Sequence, residues 1–177
     1  MSSEDTDGAG GFKPSRNIIL VGAVIVVVAA AVLLMRPGNS ARDFSLVDVD
    51  GAAFRLSDFS GRVVLIDFMA TWCGPCMLAM PDLLELRGEF GEELVMLSID
   101  VDPARETEDK LREWRDEWGA VWPHALDLEQ PPVSRSFKVR VIPTIVIVDQ
   151  EGKIAHTHLG PTGSDILAAE VSELLDR

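Results

Sequence analysis

Runs of almost purely apolar residues alternate along the chain with segments in which apolar positions recur every three or four residues. The apolar run at residues 63–68 is typical of a buried strand, and residues 94–99 and 145–148 also predict strands. The segments at residues 76–90 and 104–118 have helical spacing and predict two helices that each bury one face. This alternation predicts an α/β domain in which a central mixed sheet is flanked by helices.

Weaker patterns predict the elements around this framework. They are, in chain order, a hairpin of residues 44–47 and 52–54 around Asp50-Gly51, a loop at 123–133, a short helix at 134–139, a strand at 154–158 that forms a hairpin with 145–148, and a last helix from its N-cap Ser164 to Leu175. The order after the first hairpin is therefore β-α-β-α-β-β-α.

The N-terminal part of the chain has a different character. Residues 17–35 carry no charge, and as a helix they would span roughly 28 Å, close to the ~30 Å hydrocarbon core of a bilayer. A cleaved signal peptide is the alternative, but Ala29-Ala30-Ala31 lies inside the apolar run and not at its end. We predict a disordered polar tail at 1–16, a transmembrane anchor at 17–35, a linker at 36–42 and one domain at 43–177.

The charge of the chain excludes one broad class of partner. It has 29 acidic and 16 basic residues and a net charge of −13, which argues against nucleic-acid binding because that function needs a basic surface. The charges around the predicted anchor do not orient it, since Lys13 and Arg16 precede the span and Arg36 and Arg42 follow it.

The two cysteines of the chain are Cys73 and Cys76, in the sequence Trp72-Cys73-Gly74-Pro75-Cys76 between a predicted strand and a predicted helix. A disulfide between them would close almost no loop and so would add little stability. Two thiols at this spacing and place fit a disulfide that opens and closes repeatedly. Half of a zinc site is the alternative, but zinc needs about four ligands and no second cysteine pair exists.

The position of the pair predicts different roles for the two thiols. Cys73 falls just before the helix, where free backbone N–H groups and the helix dipole favour a thiolate, and Cys76 lies about one turn inside. We therefore expect Cys73 to be the exposed nucleophile and Cys76 the shielded resolving thiol. Gly74 and Pro75 let the chain turn into the helix.

Other ionisable residues have two interpretations each. Asp67, the charged residue of the strand run, is either a buried carboxyl that relays a proton for the resolving thiol or an end-of-strand residue that faces water. His156 and His158 share one face of a strand and could bind a metal, but exposed residues of an edge strand are the simpler interpretation. His124 has no evident partner.

Several motifs together resemble a known family. Residues 67–76, Pro81 and Val141-Ile142-Pro143-Thr144 look like the thioredoxin-fold oxidoreductases. Residues 41–46 and 56–61 narrow the resemblance to the TlpA/ResA-like subfamily, which are membrane-tethered thiol–disulfide proteins with extra N-terminal strands. The resemblance extends over residues 41–177.

This resemblance implies further features of fold and site. It implies a thioredoxin-like fold with an extra N-terminal β-hairpin, preceded by one transmembrane helix. It implies that Pro143 is a cis-proline beside the cysteine pair, and that the backbone of Ile142 pairs with an extended substrate segment. Trp72, Gly74 and Pro75 would belong to the same substrate-binding surface.

The chain departs from the family at three positions. Ala79 stands where many ResA-like relatives carry Glu, Met69 replaces a common Trp, and Met96 stands where thioredoxins often carry Lys near a buried Asp. Asp67 matches that buried Asp. The pKa values and redox potential of the family therefore do not transfer to this chain.

The predicted function is a membrane-tethered thiol–disulfide oxidoreductase that needs no metal or organic cofactor, because the two sulfurs carry the electrons. Its partners would be protein substrates with disulfides or thiols and a membrane or soluble electron donor, and the protein would act as a monomer. The domain would lie outside the cytoplasm, where disulfides persist. By resemblance, Gly-Pro between the cysteines favours a reductase, and cytochrome c maturation is one such role.

Three alternatives stay open at this point. The first is a disulfide oxidase or isomerase, which would use the same cysteines. The second is a copper-delivery protein that binds metal through both cysteines and a histidine. The third is a peroxidase, but its Pro-x-x-x-Thr-x-x-Cys pattern is absent, since Ile66 and Ala70 occupy the Pro and Thr positions.

Overall fold

The computed structural model describes residues 39–176. The predicted tail at 1–16 and the predicted anchor at 17–35 lie outside the described residues. Within residues 39–176, none of the helices is both long and apolar enough to cross a membrane.

Seven strands and four α-helices make up the described part of the chain. The strands are β1 (Ser45–Val47), β2 (Ala53–Arg55), β3 (Val63–Met69), β4 (Leu94–Asp100), β5 (His124–Leu126), β6 (Thr144–Val148) and β7 (Ile154–Leu159). The helices are α1 (Gly74–Phe90), α2 (Glu108–Trp118), α3 (Val133–Ser136) and α4 (Ser164–Leu175).

The central sheet has the strand order β5-β4-β3-β6-β7. β3 pairs in parallel with β4 and antiparallel with β6, so the predicted mixed sheet is confirmed. Every residue of β3 and β4 is buried. This explains why the sequences of both strands are nearly continuous apolar runs and do not alternate between apolar and polar residues. β1 and β2 form the predicted N-terminal hairpin outside this sheet.

The alternation of side chains along β3 separates two hydrophobic cores. Leu65 and Met69 face the core that contains both cysteines and the buried residues of α1, α2 and α4. Ile66 and Phe68 face the opposite core, which is closed by the N-terminal hairpin and α3. The long helices thus cover the face that carries the cysteines.

The structure corrects the prediction for residues 123–133, which were expected to form a loop. His124–Leu126 form β5, which pairs in parallel with the end of β4 and closes one edge of the sheet. A strand of three residues after a proline is too short to show a period in the sequence.

The boundaries of the helices also differ from the predictions, and the short helix expected at residues 134–139 is α3 at Val133–Ser136. α1 begins at Gly74 and not at residue 76, and Pro81 lies inside it. α2 begins at Glu108 and not at residue 104, because Thr107 caps it by accepting a hydrogen bond from the Lys110 N–H. α4 begins at Ser164, which was expected to be its N-cap, so Gly163 is the N-cap, and the helix ends at Leu175 as expected.

Residues 39–42 were expected to belong to the linker, but they are hydrogen-bonded to the edge strand β7 and to the turn before it. The Ile154 N–H donates to the Asn39 carbonyl oxygen at 2.7 Å, and the Ala41 N–H donates to the Gly152 carbonyl oxygen at 2.9 Å. The folded unit therefore begins a few residues before the predicted boundary at residue 43.

Candidate active site

The two cysteines form a disulfide where β3 passes into α1. The Sγ atoms of Cys73 and Cys76 are 2.12 Å apart. Cys73 is the N-cap of α1, and its sulfur accepts a hydrogen bond from the Cys76 N–H at 3.1 Å. The Cys76 N–H thus points towards the sulfur of Cys73, where it would stabilise a thiolate once the disulfide is reduced.

The expectation that Cys73 is exposed is wrong for the disulfide form. Cys73 is 4% exposed and Cys76 is 3% exposed, because both sulfurs pack against the core below α1. Exposure therefore does not distinguish the two thiols in this state. The capping position does, since it directs a backbone N–H to the sulfur of Cys73.

The predicted substrate-binding residues surround the disulfide. Trp72 is 51% exposed, and Gly74 and Pro75 are also exposed. The peptide bond between Ile142 and Pro143 is cis, which confirms the geometry that the resemblance implied. Ile142 packs against the core cluster that contains both cysteines, so the loop before β6 lies on the same side of the molecule as the pair.

Trp72 and Ile142 line one groove. It has a volume of about 370 Å³, and its apolar lining comes from Trp72, Val101, Val139, Val141 and Ile142. The groove joins the loop before Cys73 to the loop before Pro143. It can therefore hold a segment of polypeptide beside the disulfide.

Asp67 is buried in the middle of the sheet. It is 3% exposed, so the interpretation that it faces water is wrong. It is two residues from both Leu65 and Met69 along β3 and so shares their face, which is covered by the core that contains the cysteines. Burial raises the pKa of Asp67 to about 7, and the hydrogen bond from Ser98 offsets part of this effect.

Two of the departures from the family leave uncharged side chains at buried positions. Met96 is buried on β4 in the same core cluster, where a lysine would have supplied a counter-charge. Ala79 is buried on α1 and also carries no charge. Burial and Ser98 are therefore the influences that set the pKa of this carboxyl.

Asp100 is a second buried carboxyl, and the sequence analysis missed it. Its Oδ2 accepts the Thr71 N–H at 3.2 Å, and its Oδ1 accepts the Asp102 N–H at 2.8 Å. Burial raises the pKa of Asp100 to about 6; nearby Glu106 adds to this effect, and the two backbone hydrogen bonds oppose it. The carboxylate thus holds the loop that leads to Trp72 and Cys73. The signal in the sequence was a charged residue directly after the apolar run at residues 94–99, which forms β4 beside β3.

The histidines lie away from the cysteine pair. His156 Nδ1 and His158 Nε2 are 3.2 and 2.7 Å from the two carboxylate oxygens of Glu170, so both side chains pack between β7 and α4. The expectation that they are exposed is therefore wrong, although β7 is an edge strand. His124 is fully buried on β5. Residues 39–176 contain no cluster of three side chains suited to hold a metal ion.

A family profile and two curated relatives match most of the chain. The family profile described as Redoxin matches residues 36–175. The thioredoxin-like protein YneN of Bacillus subtilis is 31% identical over 126 residues, which cover 71% of this chain and 73% of that protein. The thiol–disulfide oxidoreductase ResA of Halalkalibacterium halodurans is 32% identical over 127 residues, which cover 72% and 70%.

A solved structure extends the match to three dimensions. The exposed lipoprotein thioredoxin Etrx1 of Streptococcus pneumoniae superposes with a TM-score of 0.65 at 31% identity. The superposition covers 75% of this chain and all of that one. The similarity in three dimensions therefore extends over three quarters of this chain.

Proposed function

The chain belongs to the Redoxin family and is a ResA-like thiol–disulfide oxidoreductase of the thioredoxin superfamily, and on this premise we propose that it reduces disulfides of protein substrates through Cys73 and Cys76. The observation that carries this proposal is the hydrogen bond from the Cys76 N–H to the sulfur of Cys73. It favours a thiolate on Cys73, which is the form that attacks a disulfide.

The reaction proceeds by two exchanges of sulfur. In the reduced protein, the Cys73 thiolate attacks one sulfur of a substrate disulfide, a mixed disulfide forms, and the other substrate sulfur leaves as a thiolate. Cys76 then loses its proton and attacks Cys73, which releases the second substrate thiolate. Two electrons pass to the substrate, and the protein is left with the disulfide that the structure contains.

Asp67 is the proposed acceptor of the Cys76 proton. It is buried on the face of the sheet that carries the cysteines, and its pKa of about 7 lets it gain and lose a proton near neutral pH. The substrate surface would consist of Trp72, Gly74 and Pro75 on one side and Ile142 and Pro143 on the other.

The cellular role extends the proposal further. The apolar segment at 17–35 would anchor the protein in a membrane with its domain outside the cytoplasm, where disulfides persist. The substrate would be an apocytochrome c whose thiols must be reduced before haem attachment, and a separate donor would reduce Cys73 and Cys76 again. The protein would act as a monomer.

Trapping of substrates tests the mechanism. In Cys76→Ser the attack by Cys73 still occurs but nothing resolves the mixed disulfide, so substrates should accumulate covalently and be released by dithiothreitol. Cys73→Ser is the matched control and should trap little. Equal trapping by both variants would overturn the assignment of roles, and an absence of trapping by both would overturn the exchange mechanism.

Equilibration with glutathione tests the direction. A reductase should have a reduction potential near that of thioredoxin, about −270 mV, and an oxidase one nearer −120 mV.

The proteins trapped by Cys76→Ser identify the cellular role, because an apocytochrome supports the proposed substrate and a broad set of secreted proteins contradicts it. Protease added to intact cells tests the location, since it should digest residues beyond Arg42.

A further inference from the structure

An unpaired group of positive charges lies beside the groove that Trp72 and Ile142 line. We call Arg135, Lys138 and Arg140 the basic loop; they fall within six residues, of which Arg135 lies in α3, and Lys138 and Arg140 lie between α3 and β6. Arg140 itself lines the groove. All three side chains are exposed, and none lies within 4 Å of a carboxylate in residues 39–176.

This lack of partners is not caused by a shortage of acidic residues. The chain has 29 acidic residues against 16 basic ones. Elsewhere in the described part, cations pair with carboxylates in most cases, as Arg42, Arg87, Lys110, Arg112 and Arg115 do. Three adjacent cations without a carboxylate, in a protein of net charge −13, form a local positive field at the mouth of the groove.

A further cation lies beside Trp72, which lines the groove. The Arg105 guanidinium carbon lies 5.4 Å from the centroid of the Trp72 ring, at a distance where the ring attracts the cation. Arg105 also lies 3.5 Å from Asp102, which lines the groove. Asp102 offsets the charge of Arg105, so the net positive charge at the groove comes from the basic loop, and the rest of the lining is mainly apolar.

We propose that this groove binds the polypeptide segment next to the substrate's cysteine, and that acidic side chains of that segment contact the basic loop. The inference rests on the proposed function and adds a substrate class to it, namely disulfides flanked by Asp or Glu. Charge complementarity selects this occupant, because the basic loop carries three cations without a carboxylate partner, one of which lines the groove, whereas the groove's lining carboxylate, Asp102, already pairs with Arg105.

The expected effect is moderate and depends on salt. Exposed ion pairs contribute little individually, so one contact should change the rate about fivefold. Because such charges act mainly on association, the change should be in KM and not in kcat. It should shrink in about 1 M salt, where the Debye length is about 3 Å.

The test uses the full chain in neutral detergent, reduced beforehand, and two disulfide-bonded peptides that differ only in Glu or Gln beside each cysteine. Two electrons pass from the Cys73–Cys76 dithiol to the peptide disulfide, which becomes two thiols. In low salt, the Glu peptide should react about fivefold faster than the Gln peptide. Arg140→Glu should reverse this preference. Lys153 is an exposed cation directly before β7, and Lys153→Glu should keep the preference.

The outcomes separate this inference from the proposed function. Equal rates for the two peptides, or an unchanged preference in Arg140→Glu, would overturn the inference while reduction of both peptides still supported a reductase. Failure of the wild type to reduce either peptide would overturn the proposed function instead. Thermal unfolding of each variant serves as the folding control, and Arg140→Gln, which should abolish the preference without reversing it, provides a second variant.

Discussion

The Ser98 hydroxyl lies 3.4 Å from Oδ2 of Asp67, and Oδ1 of the same carboxyl has no hydrogen-bond partner within residues 39–176. The Trp122 indole N–H donates to the Ser98 oxygen at 2.9 Å, which leaves the hydroxyl proton for Asp67. One long hydrogen bond is weak compensation for a buried charge. Asp67 therefore favours its neutral form up to a pH of about 7.

We predict that Asp67→Asn stabilises the protein at alkaline pH. The unfolded carboxyl loses its proton near 3.8 and the folded one near 7, so the free energy of unfolding should fall as pH rises between these values and then level off. This difference in pKa corresponds to about 4 kcal/mol. Since the amide also changes the contact with Ser98, we expect a gain of ~1–4 kcal/mol at pH 8 and much less at pH 4.

Guanidinium chloride unfolding of the oxidised protein at both pH values measures this change. Glu89→Gln, at an exposed position of α1, is the control and should show no such pH dependence. If Asp67→Asn raises the free energy of unfolding equally at pH 4 and pH 8, folding does not raise the pKa of Asp67.

A second prediction concerns the rate of exchange. If ionised Asp67 accepts the proton of Cys76, Asp67→Asn should slow the resolution of the mixed disulfide by about 10²-fold at pH 8. The wild-type rate should rise with pH through about 7, and this rise should be absent in the variant. Stopped-flow measurement of the second exchange between pH 5.5 and 9 follows it, and superimposable profiles would remove Asp67 from the mechanism.

The cysteine site could be predicted because its evidence is local. Cys73 and Cys76 are three positions apart, and the apolar run before them and the helix after them are both long enough to show a period. The burial of Asp67 was not predictable in the same way. It follows from β4 and β6, which pair with β3 on both sides, and a single segment does not show how many neighbours it will have.

The features that were missed depend on contacts distant in sequence. The bond from the Thr71 N–H to Asp100 joins the ends of β3 and β4, and only the parallel register brings these ends together. His156 and His158 were placed on one strand face correctly, but Glu170, which pairs with both, comes from α4. A strand pattern predicts which side chains share a face, but not which element covers that face.

We predict that Asp100→Asn loosens the loop before Cys73. Both carboxylate oxygens accept backbone N–H groups, whereas an amide would direct its own N–H₂ at one of them. An unpaired buried N–H costs about 1–3 kcal/mol, so hydrogen exchange at the Thr71 amide should become roughly 10- to 100-fold faster. Glu89→Gln again serves as the control. Unchanged protection of both the Thr71 and Asp102 amides would show that Asp100 does not hold the loop.

His124 should control the stability of the protein in acid. The side chain is fully buried, stacks on Trp122 with ring centroids 5.6 Å apart, and uses Nδ1 to donate to the Trp122 carbonyl oxygen at 2.9 Å. Nε2 has no partner within residues 39–176, so protonation there would place an unpaired charge in the core. Burial accordingly lowers the pKa of His124 to about 4.

The sign of the effect follows from this lowered pKa. The unfolded histidine takes up a proton near pH 6.5 and the folded one only near 4, so His124 should destabilise the protein progressively as pH falls between these values, by about 3 kcal/mol in total. His124→Phe should lose the hydrogen bond to Trp122, at a cost of about 1 kcal/mol at pH 7, but should lack this acid sensitivity. Urea unfolding at pH 7 and 4.5 measures both the cost of the lost hydrogen bond and the acid sensitivity. The contributions of the other titrating groups cancel in the difference between the wild type and the variant, because the two proteins share these groups. Parallel losses of stability in the two proteins would show that His124 takes up its proton as readily in the folded state as in the unfolded one.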